Sequence, residues 1–510
     1  MSQNTAPSTD PKNQPHADRC PSRWWVPSLV ASSIFIGSGY PFILTGFVRG
    51  RGAHDQLNYH EQVIRTFAKA WPHLDYSDYL SATTPGYHTL LAGFAHLGLD
   101  GRSMLQILGS VFTFGLLWVL AWGFRPMLRR VGCTQGLLLG SVLLLLVIAS
   151  MPIFYSGVWL LPDNAGWLGV VILWLLALDR RWNGWLLGAS SIAMATLVFV
   201  RQIHLWPLAL LLTAAWLGPV RGSASDAHTN EEKNGHGRFG EPCFDCALEW
   251  RALSSALPER FGRVGLTLLA AVPALLVLGY FVRLWHGLTP PVFTQRHVGL
   301  NASAPAFVLA VFGYCSIFFV PFTWRAFGVL WHRHRWLLGM FVALGFFAAV
   351  LPATGYDQAT GRFSGLWNLV RRLPMVGHTS PLIVFLSVLG SAMLAGWFVA
   401  LTHRDRWIML AGFVAFTAAQ CASFKLWQRY TEPFVLIWLV LAATRILPGR
   451  SGSEQGWRII GPLALTLILV AQTSASLVYA RPVKVRALVA PWETHAPKLP
   501  GMIDRTPEEP

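Results

Sequence analysis

Charge is scarce in this chain. Of 510 residues only 13% are Asp, Glu, Lys or Arg, where soluble domains carry roughly 25%. That scarcity argues against a soluble globular protein. Cysteine is thin too: Cys20, Cys133, Cys243, Cys246, Cys315 and Cys421 are scattered, and only Cys243-Phe244-Asp245-Cys246 has a motif spacing. A structural zinc site wants a second such pair, and there is none in the sequence. No short apolar core followed by a small-residue cleavage site marks the N-terminus as a signal peptide. No internal repeat stands out, which counts against a transporter built from repeats.

What fills the chain instead is apolar. Hydrophobic residues make up 53%, mean hydropathy is +0.44, and there are 24 Trp and 31 Phe. The runs 25–47 and 104–124 each reach the ~20 residues that cross a bilayer. The expected class is an all-α polytopic membrane protein, with the lipid bilayer as its first partner. The formal charge of +16 then points to basic cytoplasmic loops rather than to nucleic acid. Residues 1–22 read as a disordered cytoplasmic tail, 23–480 as the membrane domain and 481–510 as a C-terminal tail.

Between the first two spans lies a long loop, 48–103. Its segment 55–70 spaces Leu57, Val63, Ile64 and Phe67 as an amphipathic surface helix would. Segment 85–99 is apolar but short. If it crossed, Arg125, Arg129 and Arg130 would lie outside; the positive-inside rule keeps them inside and 85–99 on the surface. Carrying that register forward predicts about thirteen spans. They fall at 25–47, 104–124, 135–154, 165–179, 184–200, 203–217, 264–283, 305–323, 336–353, 380–401, 407–424, 433–447 and 459–479. Residues 218–262 form a cytoplasmic loop.

This register collects Asp55, Glu61, Asp163, Arg201, Arg296, Arg371, Arg372, His378 and Arg429 on the outer face. Arginines there run against the charge rule, and an anionic lipid phosphate would explain them, since guanidinium meets phosphate bidentately. Carboxylates facing such arginines suit glycosyl transfer from a polyprenyl-phosphate sugar. The phosphate leaving group needs its charge neutralised, and the acceptor hydroxyl needs a base. Asp55 and Asp163 are the catalytic candidates. Arg201, Gln202, Arg429, Arg371, Arg372 and His378 are candidates for the donor phosphate. His60, Glu61, Thr83, Thr84 and Tyr87 are candidates for substrate contact.

Each has a structural alternative. Asp55 caps a helix 56–70; Asp163 caps the fourth span, or else binds a divalent metal or the acceptor; Arg201 and Arg429 snorkel at headgroup level. His378 is a lone loop histidine. Thr83-Thr84-Pro85-Gly86 is a helix entry with Thr at the cap and Pro in the first turn. No cofactor follows from these residues, and a divalent metal stays open.

Four stretches resemble one family. They are Asp55…Tyr59-His60 with Asp78-Tyr79-Leu80-Ser81-Ala82-Thr83-Thr84-Pro85-Gly86-Tyr87; Phe154-Tyr155…Asp163-Asn164-Ala165-Gly166; Phe199-Val200-Arg201-Gln202-Ile203…Trp206; and Gln428-Arg429-Tyr430…Pro433-Phe434. Together they resemble the dolichyl-phosphate-glucose-dependent α-1,2-glucosyltransferases of the N-glycosylation pathway. Order and spacing hold over about residues 50–210. Gln56 stands where that family has a second acidic residue, and Asp163 where it has Glu. The resemblance implies the GT-C glycosyltransferase fold, a site on the lumenal or periplasmic face, and Asp55 as base. The donor would be a polyprenyl-phosphate-linked sugar, and the acceptor a glycan or lipid-linked glycan. The Ala/Leu/Trp/Arg-rich composition reads as bacterial, which implies the inner membrane and an undecaprenyl or decaprenyl carrier; in a eukaryote the membrane would be that of the ER. The alternatives are a GT-C transferase of mannose, arabinose or galactose, and a lipid-linked glycan flippase.

Overall fold

The computed structural model describes residues 21–129, 131, 133–219, 257–293, 299–446 and 452–483. Most of the 1–22 tail, the body of the 218–262 loop with Cys243 and Cys246, Arg296, and most of the 481–510 tail lie outside the described residues.

The fold is helical throughout, with no strand among the described residues and only isolated bridges. Helix α1 is Trp25–Leu44. The long loop holds α2 (Gly50–Asp55), a wide π-helical turn at Gln56–His60, α3 (Glu61–Ala70) and α4 (Gly86–His96). Next come α5 (Arg102–Gly123), α6 (Arg125–Leu128), α7 (Cys133–Ala149), α8 (Met151–Val158), α9 (Asp163–Leu178) and α10 (Gly184–Val200). A 3₁₀ turn, Gln202–Leu205, leads to α11 (Leu208–Leu217). The second part comprises α12 (Leu257–Trp285), α13 (Ala304–Ser316), α14 (Val320–Arg333), α15 (Arg335–Val350) and α16 (Leu366–Val370). It ends with α17 (Pro381–Ala400), α18 (His403–Cys421), α19 (Gln428–Arg445) and α20 (Gly452–Val478).

Sequence explains the contrast between loop and bundle. Helices such as α7, with its run Leu-Leu-Leu-Leu-Val-Ile, are apolar all round, as a helix in lipid or in a packed bundle must be. Helix α3 is two-faced: Val63, Ile64 and Phe67 are buried while Arg65, Thr66 and Lys69 are not. Its apolar face packs on α4, and the two share a small core with Tyr79, Leu91 and Trp285. In the main bundle α13 crosses α17 at Gly313 and Gly390. A Cβ at either glycine would run into backbone of the facing helix, so these helices touch main chain to main chain.

Among the described residues, six helices are long and apolar enough to cross a membrane, and the pair α7–α8, bent by 73°, makes a seventh if taken as one span. Helices α9, α10 and α15 are apolar but shorter, as is the stretch Gln202–Leu217. Helix α4 has 11 residues, which at 1.5 Å each give about 16 Å, half of the roughly 30 Å hydrocarbon core.

Three boundaries differ from the sequence-based expectation. The 135–154 span breaks at Ser150, because Pro152 opens a new helix there. The 305–323 span continues through a 3₁₀ turn into α14, so Arg325 lies on a helix rather than in a loop; no Gly or Pro interrupts Phe322–Ala326. The outer loop 425–432 is shorter than expected, because α19 starts at Gln428 and takes Pro433 inside the helix.

Arginines at helix ends meet partners in two places. Asp55, Asp163, Arg201 and Arg429 meet at one end. At the ends of other helices, Arg404 Nε donates to the Gly218 carbonyl at 3.4 Å and Arg263 Nε to the Ala215 carbonyl at 2.8 Å. The charge register assigns the first group to the outer face and the second to the cytoplasm. Single cysteines at Asp100 and Gln135, both exposed, are therefore expected to react with an impermeant maleimide from opposite sides of intact cells, judged against the unmodified chain. Labelling from one side would contradict the register.

Candidate active site

Helix α2 continues through the π turn into α3 without a break. The Glu61 amide bonds the Gln56 carbonyl, five residues back. This extra residue turns Asp55 and His60 toward one cavity, which both line; such insertions recur at functional sites. Asp55 makes no capping bond, so the capping alternative falls. Its Oδ2 accepts from Arg429 Nη1 at 2.6 Å, and its Oδ1 lies 3.5 Å from His54 Nδ1.

Asp163 opens α9, and its carboxylate faces two arginines. Arg201 Nη1 donates to Oδ1, and Arg429 Nη2 donates to Oδ2 at 3.4 Å. Arg201 reaches the site because α10 ends at Val200 and Arg201 is extended, aiming its side chain across the helix end. Arg429 stands in the first turn of α19. Asp55, Arg429, Asp163 and Arg201 thus form one alternating chain of charges drawn from four separate segments.

Aromatic rings fill the spaces between the cations. The Arg201 and Arg429 guanidinium carbons lie 5.0 and 5.3 Å from the Tyr430 ring centre. Arg51 and Lys425 lie 4.9 and 4.6 Å from that of Trp427. The cavity has a volume of about 770 Å³, within the range of small-molecule sites. Its wall carries five cations, Arg51, Arg201, Lys425, Arg429 and Arg481, against the two carboxylates Asp55 and Asp163.

Burial raises the Asp55 carboxyl, but the His54 hydrogen bond and the Arg429 charge outweigh it and hold Asp55 well below the usual carboxylate range. Burial also pushes His60 down from 6.5 to about 4, and the neighbouring Asp55 charge only partly offsets this. His60 Nδ1 lies 2.9 Å from Nε2 of His88. His88 is fully buried, and burial followed by the His60 charge drives it well below 6.5.

Because the folded pKa of His60 is lowered, the unfolded chain binds a proton that the folded site refuses. The contribution of this group to stability is therefore complete above 6.5 and is lost as pH falls toward 4. The unfolding temperature should drop between pH 7 and pH 5, and the drop should shrink in the paired variant His60→Gln/His88→Gln. Equal slopes would contradict this.

The cavity brings together Asp55, His60, Thr83, Asp163, Arg201 and Arg429 of the sequence candidates. Others do structural work. Thr84 donates to the Val198 carbonyl at 2.7 Å, and its own amide donates to Gln202 Oε1 at 3.0 Å. Gln202 Nε2 donates to the carbonyls of Ala82 and Leu288, so Thr84 and Gln202 join the loop to the end of α10. Pro85, not a threonine, is the residue that precedes α4. Glu61 pairs with Arg65 and Arg102, and Tyr87 is buried against Phe112 and His88. Arg371 and His378 line a separate, smaller hollow with Tyr356; Arg372 lines neither. Among the described residues, no group of three His, Cys, Asp or Glu side chains is placed to hold a metal ion.

Arg51, Lys425, Trp427, Tyr430 and Arg481 line the cavity and were not among the sequence candidates. Arg51 carried the signal that flagged Arg201: an arginine at a span end on the face where the charge rule leaves few. No known protein family matches the chain, and no curated protein matches it.

Proposed function

We propose that this chain is a GT-C-type membrane glycosyltransferase of about thirteen spans. It moves a hexose, glucose first among the candidates, from a polyprenyl-phosphate sugar to a glycan or lipid-linked acceptor at the outer face of the membrane, in a bacterium the inner membrane. The observation that carries this is the meeting of Asp55 and Asp163 at Arg429 inside a cavity of about 770 Å³ with an excess of cations. An anionic ligand is drawn to such a wall, and a carboxylate stands ready beside it.

Asp55 is the base and Asp163 the positioning residue. The Asp55 side chain is 16% exposed and that of Asp163 7%, so Asp55 is the carboxylate more open to a substrate. The acceptor hydroxyl gives its proton to Asp55 as its oxygen bonds to the anomeric carbon. The bond from that carbon to the phosphate oxygen breaks, and polyprenyl phosphate leaves with the electron pair. Arg201 and Arg429 hold both carboxylates ionised and in place. Attack from the side opposite the phosphate inverts configuration. The test is product analysis by NMR after incubation with a β-linked polyprenyl-phosphate hexose and cell-envelope acceptors: an α-linked product is expected, and a β-linked product would overturn single displacement.

A further inference from the structure

The four arginines of the cavity wall are of two kinds. Arg201 and Arg429 are already neutralised by Asp163 and Asp55. Arg51 and Arg481, also in the wall, make no ion pair among the described residues. Arg51 is positioned by the Trp427 ring, 4.9 Å from its guanidinium carbon. Arg481 is positioned by main chain. The Gly50 amide donates to the Arg481 carbonyl at 2.9 Å, and the Val483 amide to the Val48 carbonyl at 3.2 Å. Arg49 and Pro482 form the antiparallel bridge between them. Gly50 has φ +78°, a conformation glycine adopts without strain, and this bends the chain from the bridge into α2. The exit of the last helix is thereby fastened to the residue that precedes Arg51.

The same junction carries apolar surface. Leu44 and Val48 on one side of the bridge, and Val478 and Tyr479 on the other, are exposed. A ligand with an anionic head and an apolar tail would meet both features at once.

We propose that Arg51 and Arg481 bind the phosphate group of a lipid-linked ligand at the cavity rim, above Trp427, while Arg201 and Arg429 serve the carboxylates. This rests on the glycosyltransferase reading. It replaces the expectation that Arg201 and Arg429 grip the phosphate, because a guanidinium already paired to carboxylate offers less net charge to a second anion. It also gives the C-terminal segment after α20 a share in the site.

The test is equilibrium binding of radiolabelled farnesyl phosphate to the full chain in phosphatidylcholine nanodiscs, competed with farnesol, inorganic phosphate or phosphatidylglycerol. Wild type should prefer farnesyl phosphate to all three. Arg51→Gln and Arg481→Gln should each weaken binding about tenfold, as expected for losing one charge-assisted bond, with an unchanged unfolding temperature. Arg51→Lys, which keeps the charge, should lie between wild type and Arg51→Gln, and it carries the test if Arg51→Gln fails to fold. If both glutamine variants bind as wild type while Arg201→Lys does not, the phosphate sits on the inner pair; the rim assignment falls and the enzyme reading survives. If inorganic phosphate or phosphatidylglycerol displaces the probe equally well, the rim is a general anion site and the proposal falls. If wild type does not distinguish farnesyl phosphate from farnesol, both readings fall.

Discussion

Arg429→Ala should cost about 3–5 kcal/mol of stability, the range for breaking a buried ion pair by removing one partner. Among the described residues, Arg429 is the one side chain that hydrogen-bonds both carboxylates. Without it Asp55 loses its 2.6 Å partner, and Asp163 is left, among the described residues, with Arg201. Both carboxylates are largely shielded from water, so the uncompensated charge has nowhere to go. The cost should therefore shrink when the charge is removed as well: Arg429→Ala with Asp55→Asn should recover part of the loss. Arg429→Lys should fall between, since an ammonium reaches one carboxylate but cannot bridge two with a planar fork. Thermal unfolding of the purified variants reads all three. An unfolding temperature unchanged in Arg429→Ala would mean that the bridge contributes nothing, and the cavity would lose its organising contact.

The sequence made much of this visible, for physical reasons that can be named. Long apolar runs show helices because lipid and a packed bundle impose the same composition on every face. Loop residues 55–70 show an amphipathic helix because one face meets α4 and the other does not. Asp55, Asp163, Arg201 and Arg429 could be grouped because ionisable residues at span ends are few and the charge rule sorts them by side. Pair geometry is another matter. That Arg429 would bridge two carboxylates 266 and 374 positions away in the chain depends on tertiary packing that no local pattern encodes. The π turn at Gln56–His60 adds one residue to a helix whose apolar spacing already reads as regular.

Thr84, Gln202, Glu61 and Tyr87 have protein partners that the sequence does not show. A polar residue in a family-like segment looks functional, yet these four satisfy backbone carbonyls, pair with arginines or fill core. Buried polar groups must find partners whatever the site does, and sequence does not say which partner is protein. Arg481 was hidden for a further reason. It enters the cavity only because the main chain after α20 pairs with the chain before α2, a contact across more than four hundred residues.

Asp55→Asn tests the central claim. Asn keeps the shape of Asp55 and can still accept a hydrogen bond from Arg429, but it cannot take a proton from the acceptor. His54 and Arg429 hold the Asp55 carboxyl below its usual range, so it is ionised at neutral pH. The variant should fold and bind donor, and its turnover should fall about 10²–10⁴-fold, the usual contribution of a general base. Asp163→Asn, which disturbs Arg201 and Arg429 but leaves the base, should lose less. The measurement is the initial rate of label transfer from a radiolabelled polyprenyl-phosphate hexose to cell-envelope acceptors. It is run with wild type, Asp55→Asn and Asp163→Asn side by side, with glucose, mannose, arabinose and galactose donors. The account predicts transfer from one of these donors by wild type, with Asp55→Asn the most impaired. Normal turnover in Asp55→Asn beside an inactive Asp163→Asn would contradict it and move the base to the start of α9.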